Sequence, residues 1–238
     1  MTVLSIAQAV ADEIGVTRPS SLVGNSDLTA KRLLASAKAE GQALYRCHKW
    51  SILHREHTFE TTASVDNYAL PDDWGRPIGD TAWDQTMFRR MYGNRTPAQW
   101  QAWKSGLAAS AGITRRYRVL AGPLAGSILI DPVPSATGDD LVIEYVSKFW
   151  CEDSEGTGQA DIAADTDDIR LDHELFRLGL LWRARKTLGL DYADDRLDYE
   201  RAVAKAKVAD FNLPTIHSAP PYRSDRLLNI PNTGFGGE

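Results

Sequence analysis

The feature that most constrains this chain is a change of hydrophobic period in its middle. Apolar residues recur with helical spacing over residues 2–15 and 27–48, and again over residues 165–212. Residues 51–150 instead alternate polar and apolar positions in short runs that proline and glycine interrupt. We therefore predict an α+β fold. A helical bundle formed by the N- and C-terminal helices (residues 1–50 and 165–212) carries an inserted antiparallel β subdomain (residues 51–150).

Capping residues indicate where the N-terminal helices begin and end. Thr2 or Ser5 can cap the first helix, and Gly15 stands where a left-handed residue commonly ends one. Ser26 or Asp27 can cap the second helix, whose apolar stripe contains many alanines, so a partner helix can approach it closely. Both signals are local and support two helices in the N-terminal part of the chain.

The C-terminal part contains two more helical patterns. The run Asp165–Asp168 offers several capping residues, and its negative charge suits the positive end of a helix dipole, so it predicts a helix start. Gly189 is expected to end that helix, and Asp194 or Asp195 to start the next one. The stripe predicted for the first of these helices contains Leu171, Leu175, Leu178 and Trp182.

The β subdomain is predicted to contain about five or six short strands and one small helix. Thr96 can cap this helix, which is expected to end near Leu107. A strand is expected over residues 81–87, with Trp83 pointing inward. Residues 151–164 are acidic and contain glycine, so they are predicted to form a loop.

The last segment, residues 213–238, has no periodicity and is rich in proline and glycine. It is not strongly charged, and a solvated tail rarely contains so many large apolar groups. We interpret it as an extended arm that docks on a neighbouring protein, with a frayed tail as the alternative. The candidate docking residues are Leu213, Ile216, Tyr222, Leu227, Leu228, Ile230 and Phe235.

Charge and cysteine content limit the possible functions. The formal net charge is -5, so no basic excess is present to neutralise phosphates, and nucleic-acid binding is disfavoured as the main role. Two cysteines, Cys47 (expected on the buried side of a helix end) and Cys151, do not make a disulfide framework.

Residues 1–6 lack the features of a signal peptide, and no apolar stretch approaches the ~18 residues of a membrane span. We expect a protein made in a cytoplasm, with no membrane partner.

Two groups of residues resemble metal sites without completing one. His54 and His57 lie near Cys47, but on a strand the two histidines point to opposite faces. Asp165 and Asp167 have the spacing of a calcium loop, whose glycine and later glutamate are missing. Neither a nucleophile elbow nor a phosphate-binding loop occurs. We predict no catalytic residue, no metal site and no cofactor, although a carboxylate pair for glycoside hydrolysis is not recognisable from sequence.

The tryptophans could form core, a sugar-binding platform or an assembly surface. Trp100 and Trp103 lie one turn apart on the small helix, so at least one of them is expected to face a domain or subunit contact. A carbohydrate-binding module that uses Trp74 or Trp100 is the alternative interpretation.

Short motifs follow one another in a characteristic order along the chain. They are Trp50, His57–Thr61, Tyr68–Arg76, Trp83–Asp84, Gly93, Thr96–Trp100, Arg116–Arg118, Ile128–Pro134, Glu144–Lys148 and Asp165–Asp167. In this order, over about residues 1–212, the chain resembles the head-to-tail adaptors of tailed bacteriophages, which are also called connector or tail tubular protein A-like proteins.

The resemblance implies a structural, non-enzymatic protein of the virion neck. Such adaptors form a ring of about twelve subunits below the portal, join it to the tail tube or nozzle, and surround the DNA channel. Double-stranded DNA then passes without specific binding, and assembly takes place in the host cytoplasm. The resemblance also implies that the arm binds the portal protein and that the opposite face meets the tail. The remaining alternatives are a carbohydrate-binding or other structural module of the tail and, less favoured, an enzyme.

Overall fold

The computed structural model describes residues 1–94, 96–105, 114–120 and 126–210. Its helices are α1 (Val3–Ile14), α2 (Leu28–Cys47), α3 (Pro97–Lys104), α4 (His173–Leu188) and α5 (Ala193–Asp210). Its strands are β1 (His54–Glu60), β2 (Asn67–Ala69), β3 (Trp74–Pro77), β4 (Trp83–Asp84), β5 (Arg89–Arg90), β6 (Arg116–Leu120), β7 (Ser127–Asp131), β8 (Asp140–Ser147), β9 (Cys151–Glu152), β10 (Gly158–Gln159) and β11 (Asp168–Ile169). The predicted α+β class with antiparallel sheets is confirmed.

The predicted caps of the N-terminal helices are confirmed. The Thr2 side chain accepts a hydrogen bond from the Ser5 amide, and Gly15 ends α1 in the left-handed conformation at φ 78°. Asp27 caps α2 by accepting hydrogen bonds from two amides of the first turn. Because each cap involves residues within one turn of a helix end, the local sequence is sufficient to specify it.

The larger of two hydrophobic clusters lies among α1, α2, α4 and α5. α4 packs against α1, α2 and α5. Its buried residues therefore surround much of the helix, whereas the sequence predicted a single stripe. Leu178 and Trp182 are only half-buried, and Leu171 precedes the helix. The buried residues of α4 are Leu175, Phe176, Gly179, Leu180, Leu181 and Ala184.

The strands form three sheets, of which two build the smaller hydrophobic cluster. One has the order β1-β8-β4-β5, with β3 also paired to β8, and the second has the order β2-β7-β6. Leu141, Ile143 and Tyr145 of β8 pack in this smaller cluster, whereas Val146 belongs to the helical one, so β8 connects the two cores. The third sheet, β10-β9-β11, includes two strands from residues 151–164, the segment predicted as a loop.

The prediction that the acidic run starts a helix is wrong. Asp172 caps α4 instead, several residues later. Asp165 Oδ1 accepts hydrogen bonds from the amides of Leu22 and Val23, at 2.9 Å each. Asp167 is buried and accepts hydrogen bonds from two amides of its own turn. The acidic side chains therefore satisfy amides of a loop and of a distant segment, a role that no helical pattern reveals.

Smaller differences concern the side-chain directions and the extent of short elements. Cys47 is exposed, not buried. In β4 the inward side chain is Asp84, which is 2% exposed, while Trp83 is half-buried on the other face. α3 ends at Lys104, before the predicted Leu107, which lies outside the described residues. Eight strands occupy the part of residues 51–150 that the structure describes, and two of them have only two residues. These two strands, β4 and β5, are too short to show a pattern, and they are stabilised because β4 pairs with β8 and β5 pairs with β4.

Candidate assembly surfaces

Asp210, the last residue of α5, is held by the connection between α2 and β1. Its carboxylate lies 3.1 Å from His48 Nε2. It also accepts hydrogen bonds from the Ser51 amide at 3.1 Å and from the Ser51 hydroxyl at 2.5 Å. These contacts tie the end of α5 to a segment far away in sequence. The point at which the chain leaves this helix is therefore fixed on the body of the protein.

A groove of about 970 Å³ lies beside this anchor. Its apolar lining includes Trp50, Leu171 and Ala206, and Ile52 is 56% exposed there. Its charged lining residues carry both signs and are Arg55, Glu152, Asp168, Arg170, Asp172, Glu174 and Asp210. An apolar surface bordered by charged groups is typical of a protein contact.

The predicted docking residues of the arm, from Leu213 to Phe235, lie outside the described residues. Asp210, the last described residue before that arm, is one of the residues that line the groove. The assignment of these residues to a portal contact stays a prediction.

The helix α3 carries the other predicted contact residues. Trp100 is only 3% exposed and belongs to the interior. Trp103 is half-buried, and the guanidinium of Arg116 lies 4.5 Å from the centre of its ring. Lys104 pairs with Asp66 at 3.2 Å, which ties the helix to the loop before β2. Of the two tryptophans, Trp103 is the one that reaches the surface, and its role in a subunit or tail contact stays a prediction.

The hairpin that joins β4 and β5 presents an apolar tip, which the sequence interpretation missed. Met87 is 49% exposed and Phe88 is 87% exposed. Phe88 has a φ of 52°, in the left-handed region that bulky side chains rarely adopt. A sequence signal was present, since two large apolar residues stand directly before Arg89 and Arg90 in a short turn. An exposed aromatic residue in such a conformation suggests a functional surface.

Glu40 is a charged side chain buried in the helical core. It is 0% exposed, and the Arg183 guanidinium Nε lies 2.6 Å from its carboxylate. Burial raises the pKa of Glu40, and hydrogen bonds from Arg183 and Tyr199 oppose that shift. The carboxylate packs against Gly179 of α4. These contacts give Glu40 a role in joining the helices, away from the groove beside Asp210.

The structure does not bring the candidate metal-binding or sugar-binding residues together into one site. Within the described ranges no group of three or more metal-binding side chains is placed to hold a metal ion. His57 stacks on Phe59, with ring centres 5.1 Å apart. Trp74 and Trp100 are 8% and 3% exposed, so neither offers an open ring face to a sugar. Among the helices of the described residues, none has the length and apolar character needed to cross a membrane.

Comparison with known proteins gave one family. The family model described as SU10 adaptor protein matches residues 1–214, which include every helix and strand of the structure. A search of curated proteins gave no match.

Proposed function

Because this chain belongs to the SU10 adaptor family of phage head-to-tail adaptors, matched over residues 1–214 of 238, we propose that it forms the ring between portal and tail. Membership makes it a structural phage protein of the virion neck that interacts with portal and tail proteins. In the proposed assembly about twelve copies form a closed ring, and double-stranded DNA passes through its channel without specific binding. The proposed ring subunit requires no cofactor, and it assembles in the host cytoplasm.

The proposed domain roles follow the two hydrophobic clusters. Residues 1–50 and 165–212 would form the wall of the ring, since four helices share one core there. The inserted subdomain, residues 51–150, would face the tail, and residues 213–238 would reach the portal. Each copy would make a head-to-tail contact with the next, which closes into a ring when the rotation between copies closes.

The observation that best supports an arm is the anchor at Asp210. A docking arm needs a fixed origin, because each copy must place the same residues on the same part of the portal. Ser51 and His48 provide that origin by holding the end of α5. The 26 residues from 213 to 238 could then span up to ~85 Å if fully extended, enough to reach a neighbouring protein.

A truncation tests the portal contact. Removal of residues 213–238 should leave the circular dichroism and urea unfolding of the protein unchanged, while its binding to portal-bearing heads is lost. A finer variant replaces Leu227, Leu228 and Ile230 by serine, and the matched control replaces the polar neighbours Asn229 and Asn232 by serine. Normal head binding of the truncated protein would contradict the proposed role of the arm.

A further inference from the structure

The tip of the β4–β5 hairpin is held rigidly although Phe88 projects into solvent. The Met87 amide donates to Asp84 Oδ1 at 2.8 Å, and Asp84 is itself buried and paired with Arg115 at 2.9 Å. The backbone before the tip is fixed to β8, since the Gln85 amide donates to the Asp140 carbonyl at 2.8 Å. The left-handed Phe88 is therefore fixed in place by a network that reaches the core.

A groove of about 670 Å³ lies next to this tip, on the outer face of the sheet. Trp83 and Val142 provide apolar lining, and Phe88 forms part of its wall. Glu56 and Glu144 also line it, and they are directly opposite each other on β1 and β8. Two like charges in that position repel each other.

The described part of the chain provides no positive charge that compensates the repulsion between the two glutamates. Among the described residues neither carboxylate forms an ion pair, and the side chain of Glu56 accepts only a hydrogen bond from the hydroxyl of Thr58. The groove therefore combines apolar surface, two unneutralised carboxylates and a protruding aromatic ring. Its charge is complementary to a cationic group flanked by apolar ones.

Proceeding from the proposed adaptor function, we propose that this face binds the tail-side neighbour through a segment that carries an arginine next to a large apolar side chain. The guanidinium would lie between Glu56 and Glu144, where its planar set of donors can reach both carboxylates. The apolar side chain would pack on Trp83 and Val142. Phe88 would enter a pocket of the partner, as a buried aromatic anchor does at the centre of many interfaces.

A second copy of this chain is the less suitable occupant. Phe88 and the groove lie on the same face, whereas a head-to-tail ring contact needs the two complementary surfaces on different sides of the subunit. A face-to-face contact between two copies would bring four glutamates together. The partner is therefore a different protein.

Two variants of the full-length chain test the proposal. Each is expressed in host cells that are infected by a phage mutant lacking its own gene for this chain. Phe88→Gly removes the ring at a position whose conformation glycine favours, and Glu56→Gln with Glu144→Gln removes the charges. Both should bind heads normally but give at least about tenfold fewer tailed particles in electron micrographs. The matched controls are Leu197→Ala, another exposed apolar residue, and Glu155→Gln, an exposed glutamate in the turn before β10.

Normal tail attachment of both variants would overturn the proposal and leave the proposed adaptor function intact. Failure of the adaptor function itself would appear separately, as normal joining of heads to tails by phage that lacks this chain altogether. Loss of head binding by both variants would also overturn the inference, because this face would then serve the ring or the portal.

Second-site suppressors identify the occupant. Phage carrying Glu144→Arg should regain plaque size through mutations in a tail gene that replace an arginine or lysine by a neutral or acidic residue. Suppressors confined to this chain would indicate a second copy as the occupant and would overturn the choice of a tail protein.

Discussion

The indole ring of Trp150 lies in the space that a side chain at position 41 would need. A Cβ atom built on Gly41 would be 2.1 Å from Trp150 Cζ3, a distance that no real contact shows. Gly41 lies inside α2, where glycine lowers helix stability by about 1 kcal/mol relative to alanine. The helix tolerates this residue because Trp150, which is 0% exposed, packs directly on its backbone.

We expect Gly41→Ala to destabilise the protein although alanine is the better helix former. The new methyl group would displace the Trp150 ring, and overpacking of this kind costs about 1–3 kcal/mol. Urea unfolding followed by tryptophan fluorescence measures the change. Gly79→Ala is the control, because nothing lies within 4 Å of its Cβ position. Equal stability of the two variants would contradict the packing described.

Removal of the Arg183 side chain is expected to destabilise the helical core. Glu40 would remain fully buried without its charged partner, a situation that costs about 3 kcal/mol or more. The comparison is Arg201→Ala, whose pair with Asp198 is exposed and should contribute little. Similar unfolding midpoints for the two variants in guanidinium chloride would show that the Glu40 pair is not important for stability.

Phe88→Gly should raise stability, in contrast to most substitutions. Glycine adopts the left-handed conformation freely, whereas a residue with a Cβ atom loses about 1–2 kcal/mol there. Phe88→Ala retains the strained conformation and should show no such gain. Thermal unfolding of the two variants compares them, and a lower melting temperature for Phe88→Gly than for Phe88→Ala would disprove the strain.

The two cysteines should differ in their reaction with a thiol reagent. Cys151 is buried, and burial together with the nearby Asp167 raises its pKa to about 12, so it should remain unlabelled in the folded protein. Cys47 is exposed and should react, although desolvation also raises the pKa of its thiol and should slow the reaction. Mass spectrometry after iodoacetamide treatment, with and without urea, counts the labels. Two labels in the folded state would contradict the burial of Cys151.

Stability should fall as the pH drops below the ordinary pKa of histidine, 6.5, partly because of His57. Burial lowers the pKa of His57, while its backbone contact with Ala69 and the charge of Asp73 oppose that shift. The unfolded chain then binds more protons than the folded one in this range, so acid favours unfolding. His57→Gln should reduce the dependence of the unfolding free energy on pH between 7 and 5. An unchanged pH dependence would show that His57 is not responsible.

Local features of the sequence predicted the helix ends that depend on neighbouring residues. Asp27 and Thr96 cap helices as expected, and Gly15 and Gly189 end them, because a cap satisfies backbone groups within one turn. The order of short motifs likewise indicated the family, since it requires only residue types and their sequence. The α+β class followed from the change of hydrophobic period.

Only the tertiary structure decided the roles of residues whose partners lie far away in the sequence. Asp165 binds amides at positions 22 and 23, and Asp210 binds Ser51, so neither pairing leaves a periodic signal. Phe88 is exposed because a two-residue strand pairs with β8 and a buried Asp84 fixes the turn. Hydrophobicity favours burial of an aromatic ring wherever the chain permits it. The sequence could not show that the backbone at position 88 prevents this burial.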